Sequence, residues 1–407
     1  MHEAVITGLG TVAPNGIGKK AFWNALSNGV SGIGPITKYQ RNGLPCHIGG
    51  EISPHHLEEY FNELPDWLPD SNSCKFAALA AKLAIEDAGL TPDDIARRQS
   101  AIYMGVSTND MEVMQREYKN LAETGFPRPD FILSAFPYSS TAVVAHLLKA
   151  YDNIITISTT CTAGLNSIYY GARSIMNGDA DIVAVGGVDA PLAPLAVAGL
   201  CMVGMVPSDY NDQPEKACRP FDKARQGGVL AEGAGVLILE EKERALRRKA
   251  KIYGSFAGGG LTGNMSPAWI KDSMYRAMEK ALTEAGLRPE DIDYISACAP
   301  GDQVLDQMET DAIKELFGPA AYNIPISSIK SIFGSPGAAA GPLQAIAAAL
   351  SIENCFIPPT LNLEEAGELC DLDYVPIKGR VGRVKIVMIN LRGFGGGFTS
   401  LIIRAFD

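Results

Sequence analysis

No histidine occurs after residue 146 in a chain of 407 residues; the five are His2, His47, His55, His56 and His146. Roughly the last two-thirds of the sequence therefore hold no imidazole to act as a base, a proton shuttle or a metal ligand. Cys-x-x-Cys pairs are missing too. The eight cysteines stand apart at 46, 74, 161, 201, 218, 298, 355 and 370, a pattern that gives neither a zinc site nor a disulfide framework and makes a reducing cytoplasm the expected setting. Basic residues are outnumbered 35 to 46, for a net charge of −11. Such a chain lacks the basic footprint of non-specific nucleic-acid binding, and an acidic partner must find a local basic patch. The uncharged runs 153–172 and 332–352 are broken by Gly, Ser, Thr or Pro, so neither reads as a membrane span. The opening MHEAVITGLG has no charged segment leading into a long apolar core, so no secretory signal is expected. TGLGTVAPNG offers Gly-x-Gly without a third glycine or a downstream acid, so no dinucleotide, and no other cofactor, is expected.

What is present is an ordinary globular balance, 46% apolar and 20% charged, in a chain longer than one core usually fills. Two segments match each other: AIEDAGLTPDDI at 84–95 and ALTEAGLRPEDI at 281–292. Each has an alanine-rich helical run, a glycine stop (Gly89, Gly286) and a Leu-x-Pro-acid-acid-Ile turn. Strand-like runs follow, SAIYMGV at 100–106 and DYISACA at 293–299. ITISTT leads into a helical run after Cys161, and IPISSIKS at 324–331 leads into GPLQAIAAALSI at 341–352. DIVAVGGVD (181–189), GVLILEE (235–241) and VKIVMINL (384–391) read as buried strands. Alternating strands and helices give an α/β fold, and the internal match suggests duplicated halves, 1–250 and 251–407.

Cys161 lies where ISTT meets a helix. Two readings stand for it: a thiol activated by the helix N-terminus, or an inert buried cysteine. Asp222 and Arg225 in RPFDKARQGG are expected to form an ion pair that fixes a loop. The run RRKAK, 247–251, is expected to be a solvated helix end. His146, in AVVAHLLKA, is expected to be a packed core residue.

ISTTCTAGLNSI, ARSIMNGDADIVAVGG, RPFDKARQGGVLAEGAGVLILEE and GFGGG at 393–397, in that order, resemble the β-ketoacyl-acyl-carrier-protein synthases, from ITGLGTVAPNG near the start to SLII near the end. The resemblance implies a duplicated thiolase-like fold, a five-layer αβαβα sandwich, and a homodimer or a heterodimer with another ketosynthase. It implies that Cys161 takes an acyl group from an acyl carrier protein or coenzyme A, with the backbone N–H of Cys161 and of Phe394 as oxyanion donors. The family's two histidines fall at Cys298, in ACAPGD, and at Ser335, after the matching Lys330, Ser331 and Gly334. An aromatic gate falls at Arg392.

Several alternatives remain open at these positions. Lys330 either supplies electrostatics or pairs with Glu309 as structural support. Cys298 is a small buried cysteine, or a second acyl acceptor or disulfide partner of Cys161. Arg392 is an ion-paired arginine, or a gate that binds a carboxylate or excludes an apolar chain. Two functions follow from the resemblance. One is an acyltransferase of fatty acid or type II polyketide biosynthesis, with decarboxylative condensation compromised by the replaced histidines. The other is a non-catalytic chain-length-factor-like subunit of a heterodimer.

Overall fold

The computed structural model describes residues 2–39, 43–53, 57, 60–96 and 99–406; His55 and His56 lie outside them. The apolar segments assemble into one mixed sheet of eleven strands. Two runs of five strands make up almost all of it. In the first the order is Asn153–Ile157, Ser100–Asp110, Ile182–Ala190, Gly233–Glu241, Ala4–Ala13. In the second it is Ile326–Ser327, Tyr294–Ser296, Ile386–Arg392, Gly397–Arg404, Gly254–Gly263. Numbered by position within its own run, each order is third, second, fourth, fifth, first. Directions recur as well: parallel among the first three strands, antiparallel thereafter. The runs meet through a short antiparallel pairing, Val5 with Ser255 and Ile6 with Gly254.

Helices fill the layers between and outside the runs. Ala340–Asn354 buries every residue from Ala340 to Ser351, and a helix apolar on all sides has to lie inside the protein. It packs beside Ala163–Met176, and both helices touch strands of both runs. Outside the first run lie Asn72–Asp87 and Pro137–Leu147; outside the second lie Ile270–Ala285 and Gln303–Phe317. The apolar residues accordingly collect into a central core between the runs and an outer core beyond each. Gly89 and Gly286 both take left-handed φ, 64° and 65°, after the outer helices Asn72–Asp87 and Ile270–Ala285, as the matched segments require.

Three local expectations are corrected. Asp222 pairs with Arg219, Nε to Oδ1 at 2.8 Å, while Arg225 donates to the Asp222 carbonyl at 2.9 Å and faces Asp306 at 3.9 Å. The three-residue spacing brings Arg219 alongside Asp222 and frees Arg225 to bridge to the next segment. The RRKAK run closes a helix with Arg247, Lys249 and Lys251 exposed as expected, but Arg248 is not free in solvent: it donates from Nε at 2.9 Å to Glu240, a fully buried carboxylate that Arg244 also engages. His146 is exposed, its ring edge-on to Trp67 at 4.5 Å, because it faces outward from the outer helix Pro137–Leu147. Among the described residues no helix is long and apolar enough to cross a membrane.

Close contact between Ala4–Ala13 and Asn72–Asp87 depends on glycine. A Cβ on Gly10 would stand 1.9 Å from the Ala80 carbonyl oxygen. Gly10→Ala is therefore expected to cost about 1–3 kcal/mol of stability, read from urea unfolding; an unchanged midpoint would contradict this packing.

Candidate active site

The elbow around Cys161 is built by its own polar neighbours. Thr162 Oγ1 donates to the Thr159 carbonyl at 2.6 Å, and Asn166 Nδ2 donates to Thr159 Oγ1 at 2.8 Å. Thr160 adopts φ 55°, a strained value for a β-branched residue that the surrounding contacts must hold in place. The loop that follows Arg392 packs against it: a Cβ on Gly393 would stand 2.0 Å from Thr160 Oγ1. Thr399 Oγ1 donates to Asn166 Oδ1 at 2.6 Å, tying the strand after this loop to the helix that follows the cysteine. These contacts set two amides beside the Cys161 sulfur, its own N–H and that of Phe394, and both favour the thiolate.

The elbow opens into a cavity of about 640 Å³. Cys161, Cys298, Lys330, Ser335, Arg392 and Phe394 all line it. The remaining wall is largely apolar, with Met111, Leu195, Leu200, Val203, Met205 and Leu305 among its residues. Among the described residues no aspartate or glutamate lines it.

Burial pushes the Cys161 thiol above its ordinary value, against the opposing pull of Lys330 and the two amides. The expected depression by a helix N-terminus is thus corrected. The helix begins at Ala163 with Thr162 as its cap, so the cysteine precedes the first turn, and the terminal field fades quickly outside that turn. Desolvation of the sulfur is the larger effect.

Cys298 is 5% exposed, and burial pushes its thiol up to about 11. Its Sγ accepts from the Arg392 N–H at 3.2 Å and lies 3.7 Å from Lys330 Nζ, which also donates to the Cys298 carbonyl. Lys330 and Glu309 do not form the direct ion pair that the sequence allowed. Both grip the Cys298 segment instead. Glu309 accepts from the amides of Cys298 and Ala299 at 2.9 and 2.8 Å and from Asn390 Nδ2 at 3.3 Å. Glu309 stands behind the cavity wall, and burial raises its carboxyl above the ordinary range. Three polar atoms at the cavity wall are buried with no hydrogen-bond partner: Thr160 Oγ1, Ser335 Oγ and Arg392 Nε. Arg392 also lies over the Phe398 ring at 5.8 Å.

Sequence reasoning missed Asp189. Its carboxylate accepts from Ser107, Thr108 and Asn109 amides at 2.8–3.1 Å, from Thr108 Oγ1 at 3.2 Å and from the Ala338 amide at 2.7 Å. Burial nevertheless pushes it up to about 6. It thereby joins two wall segments, since Ser107, Thr108 and Gly337 all face the cavity. The signal was an acid closing the apolar run DIVAVGGVD.

This geometry can be compared with known proteins. The N-terminal domain model of β-ketoacyl synthase matches residues 1–245, and the C-terminal domain model matches residues 250–364. The chain belongs to the β-ketoacyl synthase family. Among its relatives, the 3-oxoacyl-(acyl-carrier-protein) synthase 2 of Coxiella burnetii is 36% identical across 100% of this chain and 99% of that protein. Two solved structures superpose with TM-scores of 0.92 at 32% identity, each covering 100% of both chains. One is the ishigamide ketosynthase/chain length factor. The other is a type II polyketide ketosynthase, bound to the hexaketide and in complex with its acyl-carrier protein. The five-layer arrangement described above is thus the thiolase-like ketosynthase fold.

A raised thiol assisted by Lys330 has a kinetic consequence. Alkylation of Cys161 by iodoacetamide should accelerate as pH rises past the ordinary thiol range, because only the thiolate reacts. In Lys330→Met, which removes the charge that favours the thiolate, the profile should move to still higher pH. A profile lying below that of a free thiol, or one indifferent to Lys330, would contradict these electrostatics.

Proposed function

We propose that this ketosynthase-family protein is an acyltransferase that receives an acyl group on Cys161 from a carrier-protein thioester. The observation that carries the reading is a cysteine sulfur with two amides beside it in the wall of a largely apolar cavity. As the thiolate attacks, negative charge moves to the thioester oxygen, and the amides beside the sulfur would receive that oxyanion. Such donors are worth about 3 kcal/mol each in acyl transfer. The carrier's thiolate leaves and takes up the proton lost by Cys161. The cavity would hold the acyl chain, and the glycines around Phe394 would let the backbone approach the thioester.

Decarboxylative condensation is less well supported. It builds charge on an enolate oxygen, and at the two positions where the resemblance puts histidines this chain has Cys298 and Ser335. A neutral thiol and a hydroxyl are weaker donors than imidazole, and loss of one such donor costs orders of magnitude in rate. Lys330 would supply part of the lost electrostatics, and Glu309 would hold the Cys298 loop in place.

The same replacements favour a second reading, a chain-length-factor-like subunit that forms a heterodimer with an active ketosynthase. Either reading involves a second ketosynthase fold. The edge strand Asn153–Ile157 suits such pairing: it bonds to a neighbour on one side only and exposes Ile154 and Ile155, with Tyr151 and Tyr170 exposed nearby. An unprotected apolar edge of this kind usually meets another strand. We read residues 1–250 and 251–407 as duplicated halves, supported by the recurring strand order. A cytoplasmic setting suits the eight unpaired cysteines.

Incubation with an acyl carrier protein bearing an acyl thioester should add one acyl group, detected by intact-protein mass, and Cys161→Ala should abolish the adduct. Malonyl-carrier protein should release no more carbon dioxide than the Cys161→Ala control does. An unmodified protein that instead co-purifies as a mixed dimer with a second ketosynthase would establish the subunit reading.

A further inference from the structure

Neither cation lining the cavity, Lys330 or Arg392, makes an ion pair among the described residues, and only Arg392 has a side-chain nitrogen buried without a partner. Lys330 has Glu309 behind it and the Cys298 carbonyl in front. Arg392 makes no ion pair among the described residues; its Nε is buried without a partner, and no acid lines the cavity it faces. Retaining a guanidinium against a largely apolar wall is costly unless something completes it. Among the described residues the protein does not supply it.

The position narrows the missing group. Arg392 is two residues from Phe394, whose amide contacts the Cys161 sulfur, so the two Cα atoms lie at most about 7 Å apart. Arg392 and Cys161 line the same cavity, so a group carried on Cys161 shares it with the guanidinium, whereas the phosphate of a pantetheine arm sits at that arm's far end. Two neighbouring orphans, Thr160 Oγ1 and Ser335 Oγ, add hydroxyl donors to the same wall. A planar guanidinium and hydroxyls match a carboxylate.

Resting on the acyl-transfer reading, we infer that the group carried by Cys161 is a short carboxyacyl chain whose free carboxylate pairs with Arg392. This also bears on the fate of that carboxylate. Decarboxylation removes the negative charge as neutral carbon dioxide departs, so a cation that holds the carboxylate stabilises the ground state more than the transition state and opposes the loss. Arg392 is thus a specificity residue for handing on a carboxyacyl group intact. In the loading step the Cys161 sulfur forms the new thioester, the bond to the donor sulfur breaks, and the departing thiolate takes the cysteine proton.

The test compares S-succinyl- and S-butyryl-pantetheine, which differ in carboxylate against methyl at the fourth carbon, as donors to Cys161 followed by intact mass. Succinyl loading should be faster by about 10-fold or more, the usual worth of a charge-assisted hydrogen bond. In Arg392→Gln the succinyl-to-butyryl ratio should fall by about the same factor, and Arg392→Lys should recover part of it. A ratio unchanged in Arg392→Gln overturns the inference. Binding of the matching thioether analogues, which cannot transfer the acyl group, is measured by calorimetry in parallel. If neither thioester labels Cys161 yet the carboxylate thioether binds the wild type more tightly than its methyl counterpart, and Arg392→Gln erases the difference, acyl transfer falls and the anion site stands. Equal binding of the two thioethers to the wild type overturns the anion site.

Discussion

Two backbone amides meeting at one sulfur are the constraint on which the site depends. Neither amide can be placed by a side chain alone. The N–H of Cys161 is aimed by the elbow, where Thr160 is held at φ 55°, and the N–H of Phe394 comes from a loop between the last two strands of the second run. The two amides come from loops that follow strands of different runs, and both lie beside the same sulfur. The packing of Gly393 against Thr160 and the bond from Thr399 to Asn166 lock that convergence. The five layers thus act as a frame that sets two loops in register, with the fully buried helix Ala340–Asn354 and its neighbour filling the space between the runs.

Around the sulfur, charge is arranged asymmetrically. The acids nearest the site, Asp189 and Glu309, are turned away from the cavity and satisfied by backbone amides, so they hold loops rather than face substrate. The cations Lys330 and Arg392 face inward. A largely apolar wall raises the cost of every charge and strengthens every pairing within it. The same desolvation that lifts the Cys161 thiol makes an unaccompanied guanidinium at Arg392 expensive.

Much of the frame was legible in the sequence because it rests on local signals. The paired glycine stops at Gly89 and Gly286, the buried strands and the alanine-rich run 341–352 each follow from periodicity or composition, and each lies close to its expected bounds. The candidate site was legible as a set of residues, six of which line one cavity. Their partners were not legible, because partner choice depends on three-dimensional placement. Arg219, not Arg225, reaches the Asp222 carboxylate; Lys330 and Glu309 grip one loop without pairing with each other. Asp189 organises two wall segments that lie far apart in sequence. The sign of the Cys161 shift was misjudged for a related reason: sequence shows a helix start but not how thoroughly the sulfur is desolvated.

The central claim is that the amides of Cys161 and Phe394 polarise a thioester carbonyl on Cys161. Its most direct measure is the carbonyl stretch of a carbon-13-labelled acyl group on that cysteine, recorded by isotope-edited infrared difference spectroscopy in folded and in denatured protein. The geometry predicts a lower frequency in the folded protein, as two donors weaken the C=O bond. The same frequency in both states would mean that the oxygen lies outside the reach of those amides, and would contradict the account.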